Sequence, residues 1–130
     1  MMSKPLVLII EDDFDLSEIF STALQRDGFE TEIVRDGKTA IDRLTGIAPA
    51  IILLDLHLPH VDGATILQKI HATKHFAKTS VIITTADAQQ ADGLRGSADL
   101  VLLKPVGVDQ LRELVNRLLL RWRASGAPNP

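Results

Sequence analysis

The sequence predicts an α/β fold, a parallel sheet wound with helices on both faces. Three observations predict it. Short apolar runs of strand length recur five times, at Leu6–Ile10, Ile33–Val34, Ile51–Leu54, Val81–Ile83 and Leu100–Leu103. Segments with helical apolar spacing lie between them. The runs are apolar throughout instead of alternating, as expected of strands buried on both faces beneath helices. Right-handed crossovers then give a doubly wound sandwich.

The first run, Leu-Val-Leu-Ile-Ile, leads into a helix on which Leu16, Ile19, Phe20, Ala23 and Leu24 make one stripe. Asp27-Gly28 closes that helix, and Ile33–Val34 marks the second strand. Asp36-Gly37 precedes a helix carrying Ala40, Ile41 and Leu44. The third strand, Ile51–Leu54, runs into Asp55, after which Pro59 and Asp62-Gly63 turn the chain. Asp62 is a candidate cap for the helix carrying Ile66, Leu67 and Ile70. Gly93 and Gly96 follow the fourth strand, and each weakens a helix by about 1 kcal/mol relative to alanine, so a short or irregular fourth helix is expected. Leu111, Leu114, Val115, Leu118 and Trp122 stripe the last helix, and Ala124 to Pro130 form a small-residue tail expected to fray.

The bulk properties exclude several functions. The chain has 130 residues, enough for one domain with one core. It has no cysteine, which rules out disulfides and thiolate chemistry. Net charge is −3, so no nucleic-acid surface is expected. The apolar runs fall far short of the roughly 18 residues a membrane span needs. The apolar run near the start is too short for a signal peptide. No membrane association is expected, and the default location is cytoplasmic.

Ligands of open α/β sheets bind beyond the carboxyl ends of the strands. Past strand one come Glu11, Asp12 and Asp13; past strand three, Asp55; past strand four, Thr84 and Thr85; past strand five, Lys104. Each pair of like charges a few ångströms apart costs on the order of several kcal/mol at an effective dielectric near 20. Such a cluster persists when a cation joins it, and hard oxygen ligands point to Mg2+. A metal, a lysine and a hydroxyl together seat a phosphoryl group, leaving one central carboxylate as nucleophile.

The segments "LVLIIEDD", "LLDLHLPHVDG", "IITTA" and "LLKPV" resemble the motifs of response-regulator receiver domains of two-component signalling, in family order, from about Lys4 to Trp122. The resemblance implies a flavodoxin-like fold with strand order 2-1-3-4-5, a receiver domain over residues 1–123 and a tail over 124–130. It implies that Asp55 accepts a phosphoryl group from the phosphohistidine of a sensor histidine kinase or phosphotransfer protein. Glu11, Asp12, Asp55 and the backbone carbonyl of His57 match the Mg2+ site, with Asp12 a direct ligand and Glu11 acting through water. Thr85 matches the hydroxyl that grips the phosphoryl group, and Lys104 the lysine that pairs with it. The bond from Lys104 to Pro105 is expected to be cis. Such a domain catalyses only its own phosphorylation and dephosphorylation, and it switches contacts with a downstream effector.

Three positions depart from or tune the pattern. Val101 stands where an aromatic switch residue is common, so no ring here can swing inward to report capture by Thr85. The interval from Thr85 to Lys104 is about one helical turn shorter than usual. His57 and Asp87 occupy the two positions that tune phosphoryl lifetime.

Plainer readings stand beside these. Asp13 fits a helix cap, Thr84 an ordinary strand residue, and His57, His60, His71 and His75 a solvated surface. Leu119 and Leu120 widen the last helix's apolar face, which suits core plus a partner seam and allows a homodimer. The tail favours a stand-alone domain over a fragment. Two rivals remain: a degenerate receiver that only binds partners, and a haloacid-dehalogenase-like phosphatase using Asp13 and Asp15.

Overall fold

The computed structural model describes residues 4–126. Five strands, β1 (Leu6–Ile10), β2 (Glu30–Val34), β3 (Ile51–Asp55), β4 (Ser80–Thr85) and β5 (Leu100–Leu103), form one parallel sheet in the order β2-β1-β3-β4-β5. Four helices, α1 (Phe14–Arg26), α2 (Gly37–Arg43), α3 (Gly63–Ala72) and α4 (Ala88–Leu94), connect them, and a fifth, α5 (Val108–Ala124), follows β5. The flavodoxin-like topology expected from the motifs is the one observed.

The central strands β1, β3 and β4 are buried almost throughout, because helices cover both faces. Alternate side chains feed two cores. Leu8, Ile10, Ile52, Leu54 and Ile83 pack with Ile66, Ile70 and Phe76 on the α2, α3 and α4 side. Val7, Ile9, Ile51, Leu53 and Ile82 pack with Phe20, Leu24, Leu111, Val115 and Trp122 on the α1 and α5 side. Each fully buried Leu, Ile or Phe contributes about 1.5–3 kcal/mol.

Strand β2 begins at Glu30, three residues before its apolar signal, because an edge strand covered on fewer sides tolerates polar residues. Asp13 caps α1, accepting from the amide of Leu16 at 2.9 Å, and Asp62 caps α3, accepting from the amide of Ala64 at 2.7 Å. Helix α4 has only seven residues and is followed by Gly96 with φ of 95°. The short fourth helix was legible in its glycines. Leu119 joins the α1/α5 core at 8 % exposure, whereas Leu120 is 66 % exposed. Helix α5 runs through Ala124, and residues 127–130 of the expected tail lie outside the described residues. No helix among the described residues is long and apolar enough to cross a membrane.

Candidate functional site: an acidic pocket bridged by a lysine

Glu11 follows the last residue of β1, Asp55 ends β3, and Lys104 follows the last residue of β5. The pleat carries all three toward the α1/α5 side, since each continues the alternation set by Ile9, Leu53 and Leu102. Glu11 and Asp55 are both 2 % exposed, deep for carboxylates. Oxygen atoms of Glu11, Asp12 and Asp55 all lie within 4.8 Å of one another. Opposite them, Lys104 Nζ donates to Glu11 Oε1 at 3.1 Å and to Asp55 Oδ2 at 3.2 Å.

Backbone donors complete the pocket. The amide of His57 donates to Asp55 Oδ1 at 3.0 Å, and the amide of Asp13 donates to Glu11 Oε2 at 3.2 Å. Both oxygens of Asp55 are thereby oriented by the turn after β3 and by β5. That turn is held close by Gly63. A Cβ there would stand 2.6 Å from Leu56 Cα and 3.0 Å from the Leu56 carbonyl oxygen.

One lysine does not neutralise three carboxylates. Burial pushes the Glu11 carboxyl up to about 7, and the adjacent Asp55 adds to the rise through hydrogen bonding and charge. The Asp13 amide and Lys104 act the other way without cancelling it. Burial works against the charge on Lys104, but hydrogen bonding to Glu11 and the charges of Asp55 and Glu11 outweigh it and raise its pKa. The pocket retains an unmet demand for positive charge. An all-oxygen donor set with one exposed member, Asp12, fits a small hard cation such as Mg2+.

Thr85 is placed differently. It is fully buried and continues the alternation of Ile83, toward the α4 side. Its hydroxyl accepts from the Asp87 amide at 3.1 Å and donates to Gln90 Oε1 at 2.9 Å. Its carbonyl accepts from the Lys104 amide at 2.8 Å. No hydrogen bond joins its side chain to the acidic pocket among the described residues. Asp87 caps α4, accepting from the amides of Gln89 and Gln90. Thr84 is a buried residue of β4. Val101 is 9 % exposed and packs in the core with Ala91. The peptide bond from Lys104 to Pro105 is cis.

The four histidines are exposed, and among the described residues only Glu11, Asp12 and Asp55 form a cluster able to hold a metal. Asp13, the nucleophile of the phosphatase alternative, spends its carboxylate on the α1 cap. Sequence reasoning missed Gln90, which belongs to no motif. Its one signal is that it falls in the first turn after the Asp87 cap, next to Thr85. Arg35, just past the edge strand β2, lies 4.4 Å from the centroid of the Phe14 ring and bonds Ser17 and Glu18.

A parallel 2-1-3-4-5 sheet bearing acids and a lysine at its carboxyl rim defines a class, and the comparisons agree with it. Residues 7–116 match the family model described as response regulator receiver domain, and the chain belongs to that family. It is 33 % identical over 116 residues to the regulatory protein AtoC of Escherichia coli (strain K12), covering 87 % of this chain and 25 % of that protein. It is 34 % identical over 120 residues to the DNA-binding dual master transcriptional regulator RpaA of a Synechocystis species, covering 90 % of this chain and 50 % of that protein. The chain thus spans half or less of these relatives. Among solved structures it resembles the signal receiver domain of a LuxO repressor protein from Vibrio parahaemolyticus, with TM-score 0.85, 30 % identity and 95 % of each chain covered. It also resembles the receiver domain of a sensor histidine kinase from Pseudomonas aeruginosa PAO1, with TM-score 0.80 and 25 % identity, covering 90 % of this chain and 98 % of that one. That structure has a magnesium ion coordinated in its active site cleft.

Proposed function

We propose that residues 1–123 form a phosphoacceptor receiver in which Asp55 takes a phosphoryl group from the phosphohistidine of a sensor histidine kinase or phosphotransfer protein. The observation that carries this reading is the bridge of Lys104 across Glu11 and Asp55, in a pocket that still lacks positive charge.

An Asp55 oxygen attacks phosphorus in line. The new P–O bond forms as the P–N bond to the imidazole breaks, and the imidazole nitrogen keeps the electron pair and takes up a proton. The His57 amide and Lys104 hold the carboxylate for that approach, and Lys104 offsets charge on the transferred group. Glu11, Asp12, Asp55 and the carbonyl of His57 would hold Mg2+, which when bound would supply further positive charge to the site. The product is an acyl phosphate. Water attacking its phosphorus opposite Asp55 releases phosphate and restores the carboxylate, so the domain limits its own signal. His57 and Asp87 occupy the positions that tune the rate of that hydrolysis.

The phosphorylated domain changes its contacts with a downstream effector, and Leu120 on α5 offers apolar surface for that partner or for a second copy of the chain. For these residues themselves we propose a cytoplasmic location and no direct contact with nucleic acid, on a net charge of −3. Incubation with acetyl phosphate and Mg2+ followed by intact mass is the test. The wild-type chain gains one phosphoryl group and Asp55→Ala gains none; a gain that survives Asp55→Ala refutes the assignment.

A further inference from the structure

The Thr85 hydroxyl carries one proton and already accepts from the Asp87 amide. It donates that proton to Gln90 Oε1 at 2.9 Å, with the Gln90 carboxamide assigned oxygen inward. While that bond is made, the hydroxyl cannot donate to a phosphoryl oxygen on Asp55. The pleat sharpens the conflict, because Asp55 and Lys104 continue the α1/α5 side of the sheet and Thr85 the α4 side.

Helix α4 is lightly anchored otherwise. It has seven residues, Ala91 is its one buried side chain, Leu94 packs half-buried against the core, and its Asp92–Arg95 pair is exposed. Its first turn is tied to the site by the Asp87 cap and by the Gln90 side chain. Val101, in the same core as Ala91, is too small to swing between two positions as a ring could.

We propose that Gln90 is a positioning residue that latches Thr85 in the resting domain, and that phosphoryl capture by Thr85 breaks this bond and frees the first turn of α4. The proposal rests on the reading of Asp55 as phosphoacceptor. The resting domain holds the Thr85 proton on Gln90 Oε1. In the phosphorylated domain the same proton bonds a phosphoryl oxygen, the Gln90 carboxamide turns to solvent, and the surface of α4 changes. Signal thus leaves the site through a side-chain amide, in a chain that has valine at the aromatic position.

Two readouts test this on the full chain with acetyl phosphate and Mg2+. The first is the rate of phosphoryl uptake by intact mass. Gln90→Leu offers no acceptor, so Thr85 is free in advance and uptake rises about fivefold, the worth of one net hydrogen bond. The second is amide hydrogen exchange over residues 88–94. In the wild type, exchange there speeds up on phosphorylation. In Gln90→Leu it is fast from the start and phosphorylation changes it little. Asp92→Ala, which removes the exposed Asp92–Arg95 pair of α4 and leaves Gln90 in place, keeps the phosphorylation-dependent difference. Wild-type and Gln90→Leu chains that take up phosphate equally fast and show the same exchange difference overturn the latch alone. A wild-type chain that takes up no phosphate overturns the phosphoacceptor reading and the latch with it.

Discussion

Replacing Glu11 with glutamine should stabilise the metal-free protein above neutral pH, although it removes an acceptor from the half-buried Lys104. Glu11 is 2 % exposed, and its carboxyl is pushed from the ordinary 4.5 up to about 7, first by burial and then by Asp55. The folded state therefore binds this proton more tightly than the unfolded chain does. Stability from this group falls as pH rises from about 4.5 to about 7 and stays low above that. At about 1.4 kcal/mol for each tenfold change in proton affinity, the full deficit is about 3 kcal/mol. Glutamine removes the charge but cannot accept from both Lys104 and the Asp13 amide, which costs about 1 kcal/mol. The net gain is then about 2 kcal/mol near pH 8, or roughly 5–10 °C in Tm for a domain of this size. Near pH 5, where Glu11 is largely protonated, the gain vanishes. Lys104 titrates above this window and does not mask the effect. Scanning calorimetry in EDTA at the two pH values measures both numbers. Mg2+ should raise the wild-type Tm near pH 8 and raise that of Glu11→Gln less. A Glu11→Gln variant that melts below wild type near pH 8 would refute the reasoning, because it would mean that Lys104 already satisfies the pocket.

Three further outcomes follow from local geometry. Asp13→Ala removes the α1 cap and should cost about 1 kcal/mol in urea unfolding, yet phosphoryl uptake by intact mass should persist, the opposite of what a phosphatase nucleophile would give. Gly63→Ala places a Cβ 2.6 Å from Leu56 Cα and 2.9 Å from its Cδ2, so it should destabilise by about 1–3 kcal/mol and, by displacing the neighbour of Asp55, slow uptake as well. Val101→Phe forces a ring into a core position 9 % exposed and should cost about 1–3 kcal/mol by denaturant titration. An unchanged unfolding midpoint in that variant would show that the space beside α4 already accommodates a ring.

Much of the fold could be read directly because its signals are local and repeated. Leu6–Ile10 and Ile51–Leu54 are apolar at every position, which only strands covered on both faces allow, and the two strands pair in register at the centre of the sheet. Edge strand β2 was harder to delimit: Glu30 to Glu32 carry no apolar run, and only pairing with Leu6, Val7 and Leu8 makes them strand. The acids and the lysine announced themselves by falling just past apolar runs. Strand ends of a parallel sheet share one rim, so positions far apart in the chain, such as Glu11 and Lys104, could be expected to meet.

The sequence by itself determined the repeating α/β pattern, the caps Asp13 and Asp62, the short α4 and the list of polar groups at the rim. These follow from periodicity, glycine placement and the spacing of single residues. Only the tertiary structure decided which of those groups touch. Pleat parity gathers Glu11, Asp55 and Lys104 on one side and turns Thr85 to Gln90 on the other. Parity depends on where each strand ends relative to its neighbours, and hydrogen-bond choice depends on which donor lies nearest in space, so neither is written in any single stretch of chain.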